Sequence, residues 1–473
     1  MKKLLSLLMF VPILASAKVT LPSIFGSGMV LQQNTQVKIW GTADSQDTVK
    51  VVPSWTNTTF HALPDANGNW SLRIPTYAAD FKNYTLEVAH KGSKQTFHDV
   101  LFGEVWVCSG QSNMEMKMKG WYWNAIRGGQ EAIANSRNEY IRLFDVEKKF
   151  SDKELTDCKG EWKFANPKTV AMTSATAYFF GRQLFQTLNV PVALVTSHWG
   201  GAGIVAFMSE KSLKPYSQYK MPRVTKKEMD VFTPTAIYNA MIKPIEGYTM
   251  KGVIWYQGET DRKIPELYRK LSKSMLDDWR ANWDCGEFPF IYAQVAPFHY
   301  PNENGNSAYI REAQNFCQKE NKNMYMVSLT DVGEENNIHP SRKQEVGFRM
   351  ACKAFDKVYG IDGIYSDEPE FVSMKIDGNK ARLKFNHATW GFTTYGKPVT
   401  AFKIAGEDKV FYPAKANLNV GNIVVYSEKV PHPVAVRYAF TDYADGTVYN
   451  VEGCCLTTFR TDNWEEKDCK YAE

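Results

Sequence analysis

The spacing of apolar residues changes period twice along the chain. Between residues 18 and about 100, apolar and polar positions alternate in short runs: Val37-Lys38-Ile39-Trp40, Val49 to Val52, Trp70-Ser71-Leu72-Arg73-Ile74 and Thr85-Leu86-Glu87-Val88. Turn formers such as Asp65-Ala66-Asn67-Gly68-Asn69 separate them. A period of two with turns this close predicts a small antiparallel, sandwich-like domain over 18–100. From 101 to 360, apolar runs at 104–108, 191–197, 252–256, 288–296 and 324–330 alternate with stretches of helical period. That period is clearest at 174–189 (Tyr178, Phe179, Leu184, Phe185, Leu188) and 341–358 (Val346, Met350, Ala354, Phe355). The stretches 235–246 and 265–283 also read as helices. Strand and helix alternating in this way predict an α/β domain with a parallel sheet. From 361 to 473 the period of two returns, at Val372 to Ile376, Ala381 to Phe385, Thr400 to Ile404, Asn422 to Tyr426 and Val434 to Ala439. A second β-rich region is expected there, with the polar stretch Asn463 to Glu473 as a surface tail.

The first seventeen residues stand outside these patterns. Lys2 and Lys3, the apolar Leu4 to Leu14 and the small residues Ala15-Ser16-Ala17 read as a cleaved export signal, so a secreted or periplasmic protein is expected. No cysteine follows the cleavage position, which argues against a lipid anchor, and no later run is apolar and long enough to insert in a membrane. A length of 473 residues exceeds one core and calls for several domains. Lys and Arg exceed Asp and Glu by 5, two of them being Lys2 and Lys3. So small an excess gives no case for nucleic acid or an anionic surface. The eight cysteines follow neither a small disulfide framework nor zinc-ligand spacing.

Four of the predicted sheet strands end in unusual chemistry. The first runs into Gly110-Gln111-Ser112-Asn113-Met114, the second into His198-Trp199-Gly200-Gly201-Ala202-Gly203. The third ends in Tyr256-Gln257-Gly258-Glu259-Thr260-Asp261, and the last in Asp331-Val332-Gly333 with Ile338-His339-Pro340 just before a helix. Parallel strands deliver all four loops to one edge of the sheet, where open α/β folds bind and react. Taken singly, each loop has a plainer role as a polar turn, a tight glycine bend or a helix entry. Together they supply a hydroxyl nucleophile in Ser112, a base in His339 and oxyanion donors. The donors expected are backbone N–H groups at Gly200 or Gly201, where no side chain blocks approach, and the Gln257 amide.

These segments resemble the sialate O-acetylesterase-like family of SGNH-type carbohydrate esterases. The matching stretches are Gly103-Glu104-Val105-Trp106 through Met114, Trp199-Gly200-Gly201, Val253 through Glu259, and Ile338-His339-Pro340 with Lys343-Gln344. Leu21 to Phe25, Met29 to Gln32, Arg311-Glu312-Ala313-Gln314 and Phe459-Arg460-Thr461-Asp462 fit as well, so the resemblance covers nearly the whole chain after the leader. It implies a flavodoxin-like SGNH core and hydrolysis of sugar O-acetyl esters, without metal or organic cofactor. It also implies Ser112 as nucleophile, His339 as base and then acid, and an oxyanion site of the Ser112 N–H, a glycine of Gly200-Gly201 and Gln257. Asn113, Glu259 and Arg311 join the expected substrate site.

Two departures from the pattern matter. Many SGNH enzymes carry Asp three residues before the histidine, where this chain has Asn336. The acid of the triad is therefore sought in Asp331 first, then Glu259 or Glu335, with a Ser-His dyad as a further option. Relatives commonly show Ser where this chain has His198, which is expected either to tune the pocket or to pack behind it. A clustered Arg pocket would favour a sialic acid carboxylate as substrate. An open aromatic groove would favour acetyl xylan or another plant polysaccharide. A carbohydrate-binding protein with a decayed esterase core is the non-enzymatic alternative.

Overall fold

One strand organises the molecule. In a computed structural model, which describes residues 18–219, 228–301 and 307–472, Ser93–Gly110 forms an uninterrupted strand, β1. The expected leader, 1–17, lies outside the described residues. The first half of β1 pairs antiparallel with Tyr84–His90 and is only partly buried. From Val100 onward every residue is buried, as befits a strand covered on both faces. Residue 100 thus lies inside β1, and the N-terminal β region and the α/β core share both a strand and an apolar cluster running from Val19 and Ile39 through Val105 to Trp255 and Trp279.

The remaining parallel strands are β2 (Asn138–Asp145), β3 (Val192–His198), β4 (Gly252–Tyr256), β5 (Phe290–Ala293) and β6 (Met324–Val327). They lie in the order β2-β3-β1-β4-β5-β6, with Trp162–Ala165 antiparallel on the outer edge of β2. Side chains alternate across the sheet. Val105 and Val107 join the cluster containing helix α3 (Pro265–Trp283) and helix α4 (Ala308–Glu320), whereas Trp106 and Cys108 pack with α2 (Ala175–Leu188) and α5 (Lys343–Lys357). Helices α2 and α5 approach closely because position 347 is glycine, where a Cβ would sit 2.7 Å from the Cβ of Phe179.

Register aligns the loops. In the sheet Gly110 stands opposite His198 on β3 and opposite Tyr256 on β4, so three of the four loops leave at one level. The expected helix 235–246 is instead a π turn, Tyr238–Ile242, followed by a 3-10 turn, Lys243–Ile245, where Pro244 removes a backbone donor. Strand β2 and helix α4 are additions to the sequence-based reading. In β2 the buried Arg142 pairs with Asp99, so its middle does not read as a continuous apolar run.

The C-terminal region folds around its own apolar cluster, with Glu370–Asp377, Lys380–Asn386, Lys415–Asn419 and Asn422–Tyr426 in one antiparallel sheet. The expected surface tail lies at the surface and is paired there. Lys470–Tyr471 pairs with Val410–Phe411, and the Tyr471 hydroxyl accepts from Arg437 at 2.6 Å. All eight cysteines are unpaired.

Arg311, expected at the substrate site, does other work. Fully buried on α4, it donates to the Thr458 hydroxyl at 3.0 Å and to the carbonyls of Ala439, Thr441 and Asp442, joining α4 to the C-terminal region. Burial pulls its pKa down to about 10. Truncating it strands buried carbonyls, so Arg311→Ala is expected to cost about 3 kcal/mol or more. A thermal midpoint lowered by about 5–10 °C would bear this out; an unchanged midpoint would contradict it.

Candidate active site

The loop after β1 is shaped by Gly110. Its φ of +135° and the position of its absent Cβ, 2.2 Å from the Tyr256 carbonyl oxygen, admit only glycine. Gln111 then bonds both ways to the loop after β4. Its N–H donates to the Tyr256 carbonyl at 2.9 Å, and its Oε1 accepts from the N–H of Gly258 at 3.3 Å. Ser112 follows as the first residue of the short helix α1 (Ser112–Glu115). It is buried, and neither its hydroxyl nor its N–H has a partner among the described residues. A free N–H is natural there, since the first turn of a helix lacks internal acceptors.

Asn113 is the junction of the site. Its amide donates to Glu259 Oε1 at 2.5 Å and to the Ile338 carbonyl at 3.1 Å, while its Oδ1 accepts from the Lys343 ammonium. One side chain therefore ties the loop after β1 to the loop after β4, to the segment bearing His339, and to the start of α5. Lys343 is fully buried over the Tyr256 ring. Burial lowers its pKa to about 7 against the pull of Glu259 and Glu334. Burial likewise raises Glu259, which Asn113 and Lys343 only partly offset.

His339 stands at the tip of a loop braced by Glu334, whose carboxylate accepts from the Ser341 N–H at 2.7 Å and from Asn337 at 2.8 Å. Its ring lies 5.5 Å from the Trp121 ring, and its Nδ1 is 3.5 Å from the Asn124 amide nitrogen. Burial pushes its pKa down to about 4; Lys343 adds to the effect and Glu115 opposes it. Gly200 closes the opposite wall. A side chain there would meet Glu115 Oε2 at 3.2 Å, the Trp121 ring at 3.3 Å and the Ser112 Cβ at 3.4 Å. Gly200 thus lies against Ser112 and Trp121, and Trp121 lies against His339, although Ser112 and His339 share no hydrogen bond.

Other expected site residues take different places. Asp331 is buried and held by Arg349, with both carboxylate oxygens accepting at 2.7 Å, and by the Tyr449 hydroxyl at 3.0 Å. Burial raises its pKa, but Arg349 outweighs this and keeps it below the ordinary value. None of its bonds reaches His339. Glu335 and Asn336 are exposed. The Gln257 amide is spent on the Ala202 carbonyl at 3.1 Å and on Asp261 at 2.5 Å, so it braces the glycine loop and has no free N–H for an oxyanion. The Gly200 N–H is bound by Glu115 Oε2 at 2.6 Å, whereas that of Gly201 has no partner among the described residues. His198 is packed, and burial holds its ring well below its usual pKa.

Sequence reasoning passed over Glu115, Trp121, Asn124 and the role of Lys343. Glu115 was the most accessible of these, lying three residues past Ser112 and so on the same side of a helix. Buried Lys343 has a measurable signature. The folded chain releases this proton near pH 7 and the unfolded chain near 10.5, so between them the unfolded state binds the extra proton. Rising pH therefore favours folding in that window. The urea midpoint of the wild type is expected to rise relative to that of Lys343→Met from pH 7 to 10; parallel curves would contradict a displaced pKa.

The chain is similar to known proteins over most of its length. Residues 102–356 match the family described as carbohydrate esterase, sialic acid-specific acetylesterase. The sialate O-acetylesterases of Pongo abelii and Homo sapiens are each 28% identical over 347 residues, covering 64% of this chain and 61% of the relative's length. A carbohydrate acetylesterase from Xanthomonas citri, known from its crystal structure, is 32% identical with a TM-score of 0.85. That match covers 94% of this chain and 100% of the other. The chain belongs to the sialic acid-specific acetylesterase family of carbohydrate esterases.

Proposed function

We propose that the protein is a serine-dependent carbohydrate O-acetylesterase on a flavodoxin-like SGNH core, with O-acetylated sialic acid the first candidate substrate. The core assignment is supported by the strand order β3-β1-β4-β5-β6, which follows the doubly wound pattern once β2 is set aside. The observation that carries the activity is a buried, unbonded Ser112 joined to the His339 loop through Asn113, in a chain matching a carbohydrate acetylesterase over 94% of its length. The leader supports export, and no helix among the described residues is long and apolar enough to cross a membrane.

In the proposed reaction Ser112 Oγ attacks the acetyl carbonyl while His339 takes its proton. The tetrahedral oxyanion is held by the N–H groups of Ser112 and Gly201, each such donor contributing about 3 kcal/mol to the transition state. The intermediate collapses as His339 returns the proton to the departing sugar oxygen. Water, activated by the same imidazole, then cleaves the acetyl-serine and releases acetate.

The orienting partner of His339 is not Asp331 in this proposal. Turning the Asn124 carboxamide by half a turn offers its oxygen to Nδ1–H, since the two ends of an amide are interchangeable in shape. Asparagine plays this part in Cys-His-Asn proteases. Glu115 contributes by its field, favouring the imidazolium that forms.

Acetate release from 9-O-acetylated N-acetylneuraminic acid and from acetylated xylan tests the reading. Ser112→Ala is expected to remain folded and to lose about a thousandfold or more in kcat; wild-type turnover by this variant would refute the nucleophile. The base must be neutral to work, so activity is lost as pH falls through the His339 pKa. The acid limb of kcat/KM is expected near pH 4. A limb near 6.5 would show a solvated histidine instead.

A further inference from the structure

The loop between α1 and Ile126 carries three consecutive aromatic residues whose arrangement the reaction does not require. Trp121 and Asn124 bond to each other in both directions, N–H to carbonyl, at 2.9 and 2.8 Å, making a closed turn. Tyr122 sits at its tip with φ +51°, and Gly120 enters it at φ +89°, where a Cβ would press 2.7 Å from the Asn124 carbonyl oxygen. The base of the loop is anchored on both sides of the site. Met118 N–H donates to the Thr173 carbonyl, and Arg127 N–H donates to the Ser341 carbonyl, two residues past His339.

This turn presents rings outward. Trp121 is half-buried against His339, but Tyr122 is 80% and Trp123 90% exposed. The rings form a continuous series, with centroids 5.5 Å apart from His339 to Trp121, 5.3 Å to Tyr122 and 5.9 Å to Trp123. Burying either outer ring would help stability, and a tight turn needs neither. By contrast Trp390, exposed to a similar degree in the C-terminal region, belongs to no such series. Flat rings with a polar rim suit ligands with one apolar and one polar face. Pyranose rings have that character, with axial C–H groups on their faces and hydroxyls on their edges.

Resting on the esterase reading and narrowing its substrate, we infer that the Trp121–Asn124 turn is a sugar-stacking platform that receives the glycan next to the acetylated unit. The acetylated sugar meets Ser112 and His339 beside Trp121, and neighbouring sugars stack outward on Tyr122 and Trp123. The substrate is accordingly an O-acetyl group on an oligosaccharide or polysaccharide, in preference to the same ester on a free monosaccharide. Arg311, committed to backbone carbonyls, is not available to a sialic acid carboxylate, whether free or glycan-bound.

The test separates binding from chemistry. In Ser112→Ala protein, which leaves the ester intact, affinity for O-acetylated xylotetraose and for 9-O-acetylated sialyllactose is measured by calorimetry with and without Tyr122→Ala/Trp123→Ala. At least one probe is expected to lose about tenfold in affinity, and Trp123→Phe to retain most of it. In the active enzyme the same pair of substitutions should raise KM for that probe with kcat little changed. Hydrolysis of 4-nitrophenyl acetate should be unaffected. Unchanged affinity for both probes would overturn the platform. Absence of wild-type acetate release from every ester, with platform-dependent binding retained, would refute the esterase reading alone.

Discussion

The site depends on the three hydrogen bonds of the Asn113 side chain. A carboxamide is suited to such a junction because it donates twice and accepts from a cation at the same time. Here it bonds to Glu259 Oε1, the Ile338 carbonyl and the Lys343 ammonium at once. Each of those partners is costly to bury alone, Lys343 most of all, since an ammonium without water must be met by acceptors. The arrangement is accordingly all or nothing. Removing Asn113 leaves a buried cation and a buried carboxylate short of partners and releases the His339 segment from the loop that carries Ser112.

This junction forms because the sheet delivers its parts to the same level. Strand β1 begins in one antiparallel layer and ends between two parallel neighbours, so the N-terminal β region and the sheet edge bearing Ser112 are positioned by one continuous backbone. Gly110 then lets the chain turn against Tyr256 without a side chain in the way. Arg311 performs a comparable service by holding α4 to the C-terminal region through the carbonyls of Ala439 and Asp442.

Much of the architecture was legible in the sequence because it rests on periodicity. Strands β1, β3 and β4 and helices α2, α3 and α5 follow patterns of two or of 3.6 that survive folding. Strand β2 was not legible, since its buried Arg142 breaks the apolar run and is explained only by Asp99 in another strand. Ser112 and His339 could be singled out because four loops with unusual residues leave one edge of the sheet. The partners of those residues could not. Whether an acid faces His339 or Arg349 depends on side-chain direction within one loop, which spacing does not encode, and Asp331 turned to Arg349. The same holds for Gln257, whose amide is consumed by the neighbouring loop.

The central claim is that Asn113 makes Ser112 reactive by holding the two catalytic loops together. The direct measurement is the rate at which an alkyl fluorophosphonate labels Ser112, followed by intact-mass and peptide mass spectrometry in wild type and Asn113→Ala. The account predicts labelling confined to Ser112 in the wild type and slowed by about tenfold or more in the variant, with the far-ultraviolet dichroism spectrum retained. Equal labelling rates, or a label on any other residue, would contradict it.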